Sequence, residues 1–181
     1  MNEPKRRLSA EKIRHKVYTT RKNVASPERV FRALIRQAVV MTLRSEDVDV
    51  PCVVDVLITN NKTIRQYNKQ HRGIDKSTDV LSFPMQEFSG AGWENITAFD
   101  VGDGSGVLPL GDIIMSIEQV RRQARVHGHT VERETTYMII HSTLHLLGYD
   151  HMDENDKKLM RFKEERLMED MGYLERTGHL D

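Results

Sequence analysis

The run HSTLHLLGYDH, residues 141–151, sets three histidines into an otherwise apolar segment. On an α-helix, residues four apart lie one turn above each other, so His141 and His145 point the same way. Gly148 lets the chain turn back after them, and Tyr149 and Asp150 carry it round so that His151 can approach the same point. Three neutral imidazoles on one Zn2+, each at about 2.0–2.1 Å, leave a fourth position open, which is the character of a catalytic site rather than a structural one. Ni2+ or Cu2+ fits the same ligands. The competing reading is three buried imidazoles paired with nearby carbonyls. Peptidases with an H-E-x-x-H helix place a Glu after the first ligand as general base, whereas Ser142 stands there in this chain. Asp150 is the nearest carboxylate; it either orients His151 or a water, or serves as a turn residue.

These side chains need a helix to carry them. Thr130 can cap one, Glu132 and Glu134 suit its positive end, and Gly148 ends it after about Leu147. Ile139, Ile140, Leu144 and Leu147 cover its other faces. Upstream, KVYTT reads as a first strand. Ser26-Pro27 with Glu28 signals the start of a helix that buries Val30, Phe31, Leu34, Ile35, Ala38, Val39 and Leu43 on one face. VVDVLIT (53–59), TDVLSFP (78–84) and LGDIIMSI (110–117) read as strands. Helices are expected over 61–70, closed by Arg72-Gly73, and over 118–127, closed by Gly128. A last helix over 153–171 turns Leu159, Phe162, Leu167 and Met171 inward. Between 87 and 108 the chain is rich in Gly and reads as a long loop or an insertion with a hairpin. This order predicts an α+β fold, one small mixed sheet packed against several helices. Residues 1–14 read as a basic extension and 15–181 as a single catalytic domain.

HSTLHLLGYDH is similar to the signature of the YbeY-type rRNA maturation factors, metal-dependent endoribonucleases of bacteria specific for single strands. Three further blocks resemble that family in order: STDVLSFP (77–84) its PTDVLSFP strand, LGDIIMS (110–116) its LGDI block, and His71-Arg72 its Tyr-Arg pair. The resemblance implies that His141, His145 and His151 bind zinc and that Arg72 is the functional arginine. A guanidinium offers a permanent charge and a planar fork suited to phosphate oxygens. It further implies processing of 16S precursor RNA, ribosome maturation and quality control, with single-stranded RNA as substrate and the small ribosomal subunit as a partner. Ser77 departs from the family's Pro and His71 from its Tyr. The expected metal site lies in a cleft between the histidine helix and the STDVLSFP strand, with Asp79, Ser82 and the Gly-rich loop on its rims; Asp79 reads equally as a strand-end cap. A zinc peptidase and a non-catalytic, metal-stabilised assembly factor are the alternative readings.

Composition limits the field. The 181 residues carry 27 Lys+Arg and 27 Asp+Glu, a net charge of zero, so nothing global favours nucleic acid and DNA is not expected. Basic residues do gather near the start, at Lys5, Arg6, Arg7, Lys12, Arg14, Lys16, Arg21 and Lys22. They form either a solvated tail or an arm for RNA phosphates. Cys52 is the one cysteine, which rules out an internal disulfide or a thiolate metal cluster and points to the cytoplasm. No apolar run is long enough to span a membrane.

Overall fold

The computed structural model describes residues 13–25, 29–97, 106–151 and 153–173. Most of the basic extension and the Ser26-Pro27-Glu28 helix start therefore lie outside the described residues. Four strands form one mixed sheet in the order β1-β2-β4-β3: β1 is Lys16–Arg21, β2 Cys52–Thr59, β3 Val80–Pro84 and β4 Leu108–Ser116. β1, β2 and β4 run parallel, while β3 pairs antiparallel with β4 and forms an edge. Five helices accompany them among the described residues: α1 Arg29–Ser45, α2 Asn61–Arg72, α3 Ile117–His127, α4 Val131–Leu146 and α5 Glu154–Asp170. The α+β expectation holds.

Side chains alternate across a strand, and here the two sets enter different cores. Val54, Val56 and Ile58 of β2, with Leu110, Ile113 and Met115 of β4, join Ile35, Ala38, Val39 and Leu43 of α1 and Ile139, Ile140 and Leu144 of α4 in the main core. Leu57, Leu81, Phe83 and Ile114 face the other way and meet Ile64 and Tyr67 of α2. One face of the sheet thus carries the principal helices and the other carries α2.

The middle helix of the main layer is α4. Three of its buried hydroxyls are satisfied, since Thr135, Thr136 and Thr143 each donate to the carbonyl four residues back, at 2.7–2.8 Å. Ser142 Oγ is buried without a partner among the described residues. Beyond its first two residues, what remains partly open is one stripe at intervals of four, Arg133, Tyr137, His141 and His145. Gly111 lets the C-terminal end of α4 reach the sheet. A Cβ at Gly111 would stand 2.3 Å from the Phe83 carbonyl oxygen and 2.8 Å from Leu146 Cδ2, so only hydrogen fits.

The last helix corrects one expectation. It exists as foreseen and Leu167 is buried, but Leu159 and Phe162 are 42% and 60% exposed. The inward residues are Met160, Glu164, Leu167 and Met168. Two apolar stripes overlap in this sequence, and the one that docks places a carboxylate, Glu164, in the core.

A candidate metal centre and its supports

His141 and His145 leave the open stripe of α4 one turn apart and meet edge to face, with ring centroids 4.6 Å apart. The His151 ring lies 5.8 Å from the first and 5.0 Å from the second. One ring nitrogen from each histidine lies within 4.8 Å of the other two. The return of the chain rests on Gly148, which adopts φ +80° and where a Cβ would collide with the Phe88 ring at 2.7 Å.

The other nitrogens fix how each ring is turned. His145 Nδ1 lies 2.7 Å from the Tyr149 carbonyl, an acceptor only, so Nδ1 carries the hydrogen. His141 Nδ1 lies 2.6 Å from Glu164 Oε1 and donates to that carboxylate. Burial, then the nearby His141 charge, pushes the His145 pKa below the usual imidazole range, so at neutral pH its Nε2 bears a lone pair. That lone pair faces His141 Nε2 at 3.1 Å. A shared proton or cation satisfies two ring nitrogens at this distance. Two nitrogens on one tetrahedral Zn2+ stand about 3.4 Å apart, so the observed spacing is close to that of a shared ion. His151 is oriented by Asp150, whose Oδ1 accepts from its backbone N–H at 2.7 Å and lies 3.1 Å from its Nδ1. Asp150 thus stands as the group that orients His151, accepting from the next residue rather than closing an Asx turn.

Glu164 was not foreseen. It is 6% exposed; Oε1 takes the His141 hydrogen and Oε2 accepts from the Tyr137 hydroxyl at 3.1 Å. A carboxylate that receives the second imidazole nitrogen is the usual device for aiming a metal-binding histidine. Its signal was present in the sequence: an acid at the position where Met160, Leu167 and Met168 define the buried stripe. Tyr149 provides a second tie, donating through its hydroxyl to Glu46 Oε2 at 2.5 Å while Lys163 Nζ lies 2.8 Å from Glu46 Oε1.

Arg72 is the last residue of α2, exposed, on the helix that covers the opposite sheet face. Phe83 links the two helix ends. Its ring meets His71 at 5.1 Å, and its carbonyl oxygen lies beneath Gly111, where Leu146 packs beside His145. The last turns of α2 and α4 therefore finish at the same end of the edge strand. His71 also stacks on Tyr67 at 6.2 Å.

Asp79 sits at the far end of β3. Its Oδ1 accepts from Thr78 Oγ1 and Val80 N, and its Oδ2 from Gln123. Burial opposes its charge, but those hydrogen bonds hold its pKa below the ordinary value; it caps the strand. Ser82 pairs with Ile113 in mid-strand. The described part of the Gly-rich segment is ordered against the end of α4. Phe88 bridges to Ile96, Gly92 N–H donates to the Leu147 carbonyl, and the Trp93 indole donates to Asp49 at 2.9 Å. Ser142 is fully buried and offers no counterpart to a peptidase base.

The family model for Endoribonuclease YbeY matches residues 16–172. The chain belongs to the endoribonuclease YbeY family. Endoribonuclease YbeY of Caldanaerobacter subterraneus is 47% identical over 142 residues, covering 78% of this chain and 88% of the relative. Endoribonuclease YbeY of Clostridium botulinum strain Loch Maree is 40% identical over 153 residues, covering 82% and 92%. Among solved structures, that of TM1509 from Thermotoga maritima superposes with a TM-score of 0.53 at 22% identity, over 86% of this chain and 91% of that one, a likeness of fold. Membership makes the chain an enzyme of the nuclease class. Among the described residues, no helix is long and apolar enough to cross a membrane.

Proposed function

We propose that this chain is a cytoplasmic, metal-dependent endoribonuclease that cuts single-stranded segments of ribosomal RNA precursors. Late processing of 16S precursor RNA, ribosome maturation and quality control are its tasks. In this reading residues 15–181 act as one catalytic domain, the basic extension over 1–14 adds phosphate contacts, and the small ribosomal subunit is the partner. One observation carries it: the Nε2 atoms of His141 and His145 meet at 3.1 Å with a third histidine in reach, in a chain of this family.

His141, His145 and His151 would hold one Zn2+. Bound there, the ion supplies Lewis-acid polarisation of a phosphoryl oxygen or a lowered pKa for water. The protein's share is orientation and charge. Glu164 and the Tyr149 carbonyl aim two of the imidazoles, so the donor set is organised before substrate arrives. Arg72 brings a permanent planar cation to the end of the edge strand, suited to two oxygens of one phosphate. Fixed positive charge placed where phosphate charge develops is the largest lever such a site has.

The test is cleavage of end-labelled RNA by pure protein, with single-stranded RNA, duplex RNA and single-stranded DNA in parallel. Cutting is expected for the first substrate only, abolished by chelator, restored by Zn2+, and lost in His141→Ala and Arg72→Ala. Equal cutting by both variants would expose a contaminating nuclease. Zinc-dependent casein hydrolysis would transfer the site to peptides.

A further inference from the structure

A second group of metal-ligating side chains lies at the corner where α3 passes into α4. His127 ends α3, His129 follows one residue later, and Glu134 lies in the first turn of α4. One ligand atom from each of the three falls within 4.8 Å of the others. Glu134 Oε2 stands 3.5 Å from His129 Nδ1 and 4.0 Å from His127 Nδ1, and the two imidazole centroids are 5.8 Å apart. Glu134 is 3% exposed. An acid at a helix N-terminus is stabilised by the helix dipole without being buried; burying it is costly unless positive charge or donors face it. The group opens on a groove of about 710 Å3 between α4 and α5, lined by His127, His129, Glu134, Tyr137 and Glu164 among others, with room for an ion and its remaining waters.

We propose that His127, His129 and Glu134 form a second site for a divalent transition ion, distinct from the three-histidine centre. Two imidazoles and one carboxylate favour Zn2+, Co2+ or Ni2+ over Mg2+ or Ca2+, which seek oxygen donors. Arg133 Nη1 lies 2.7 Å from His129 Nδ1, so a guanidinium faces the nitrogen that an incoming ion would use, and the ion must displace it or take Nε2. Glu134, Tyr137 and His141 share one face of α4, seven residues from end to end, which is about 10 Å along the axis. Paired ions acting on one phosphate sit about 3.5–4 Å apart. The second ion is therefore no partner in the chemistry. It ties the α3–α4 corner together and places positive charge in a groove otherwise rich in Glu.

The test is equilibrium dialysis of the chelator-stripped full chain against buffered Zn2+, with elemental analysis, and the absorption of the Co2+ form. Wild type should bind two equivalents. His141→Ala/His145→Ala should keep one, with tetrahedral Co2+ absorption, and lose it when His127→Ala/His129→Ala is added. Glu134→Gln, nearly isosteric, should weaken the second equivalent by roughly tenfold or more. Arg133→Ala should tighten it roughly two- to fivefold, as loss of one partly exposed like charge does. One equivalent in wild type and none in His141→Ala/His145→Ala would overturn the proposal and leave the three-histidine centre intact. One equivalent that survives His141→Ala/His145→Ala but not His127→Ala/His129→Ala would uphold it and overturn the other centre.

Discussion

Replacing Glu164 with Gln tests whether the metal centre depends on a residue that cannot touch the ion. In the wild type, Oε1 receives the His141 Nδ1 hydrogen at 2.6 Å and Oε2 the Tyr137 hydroxyl hydrogen at 3.1 Å. Glutamine keeps the shape and one acceptor, but it removes the negative charge that makes His141 Nε2 a stronger donor and turns the other oxygen into a donor facing Tyr137. Losing such a partner costs about 10–100-fold in metal affinity, or roughly 1.4–2.8 kcal/mol at 1.4 kcal/mol per tenfold. The assay is competition for Zn2+ with a chromophoric chelator, paired with RNA cleavage at saturating Zn2+. Affinity should fall within that window, while cleavage at saturation should recover to within a few-fold. Tyr137→Phe removes the other hydrogen bond without touching His141 and should weaken Zn2+ binding less. Glu164→Gln protein that is folded by circular dichroism and binds Zn2+ as tightly as wild type would refute the reasoning.

Four further outcomes are expected. Arg72→Ala should lower cleavage roughly 10²–10³-fold, the cost of one preorganised charge-stabilising donor, with Zn2+ affinity unchanged; Arg72→Lys should restore only part, since a point charge lacks the planar fork. Gly111→Ala forces a Cβ onto the Phe83 carbonyl at 2.3 Å, and denaturant unfolding should show a loss of roughly 2 kcal/mol or more. Burial, then the Arg44 charge, pushes the His15 pKa down to about 4. The unfolded chain therefore takes up this proton near 6.5 while the folded one does not, so stability is unaffected above that pH and falls between 6.5 and 4 by roughly 3 kcal/mol; His15→Gln should flatten that slope in chelator-treated protein. Ser142→Ala should leave cleavage and Zn2+ binding unchanged, because the hydroxyl is buried away from the centre.

Much of the site was legible because its signals are local. The four-residue spacing of His141 and His145, the Gly148 turn and the Thr130 cap each follow from a few neighbouring residues, and each appears in the structure. Strands rich in branched residues, such as 53–59, were equally plain. What escaped were contacts between distant segments. Glu164 meets His141 across 23 residues and Glu46 meets Tyr149 across 103; the acid in the apolar stripe of α5 marks Glu164 as unusual, but nothing local to either acid names the partner it meets. The register of α5 was half legible for a related reason: Leu167 and Met171 pack inward as expected, but Leu159 and Phe162 lie off the docked stripe, the one that brings Glu164 to His141. The placement of Arg72 was beyond reach for the same cause. It follows from α2 covering the second sheet face, a matter of topology rather than of its own segment.

The most direct test of the central claim is an anomalous-scattering map, recorded at the zinc edge, of crystals of the chain grown with Zn2+. The account predicts a peak bonded at about 2.0–2.1 Å to His141 Nε2, His145 Nε2 and a ring nitrogen of His151, with Glu164 still on His141 Nδ1. A map in which zinc is present but no peak lies among those three rings would contradict it.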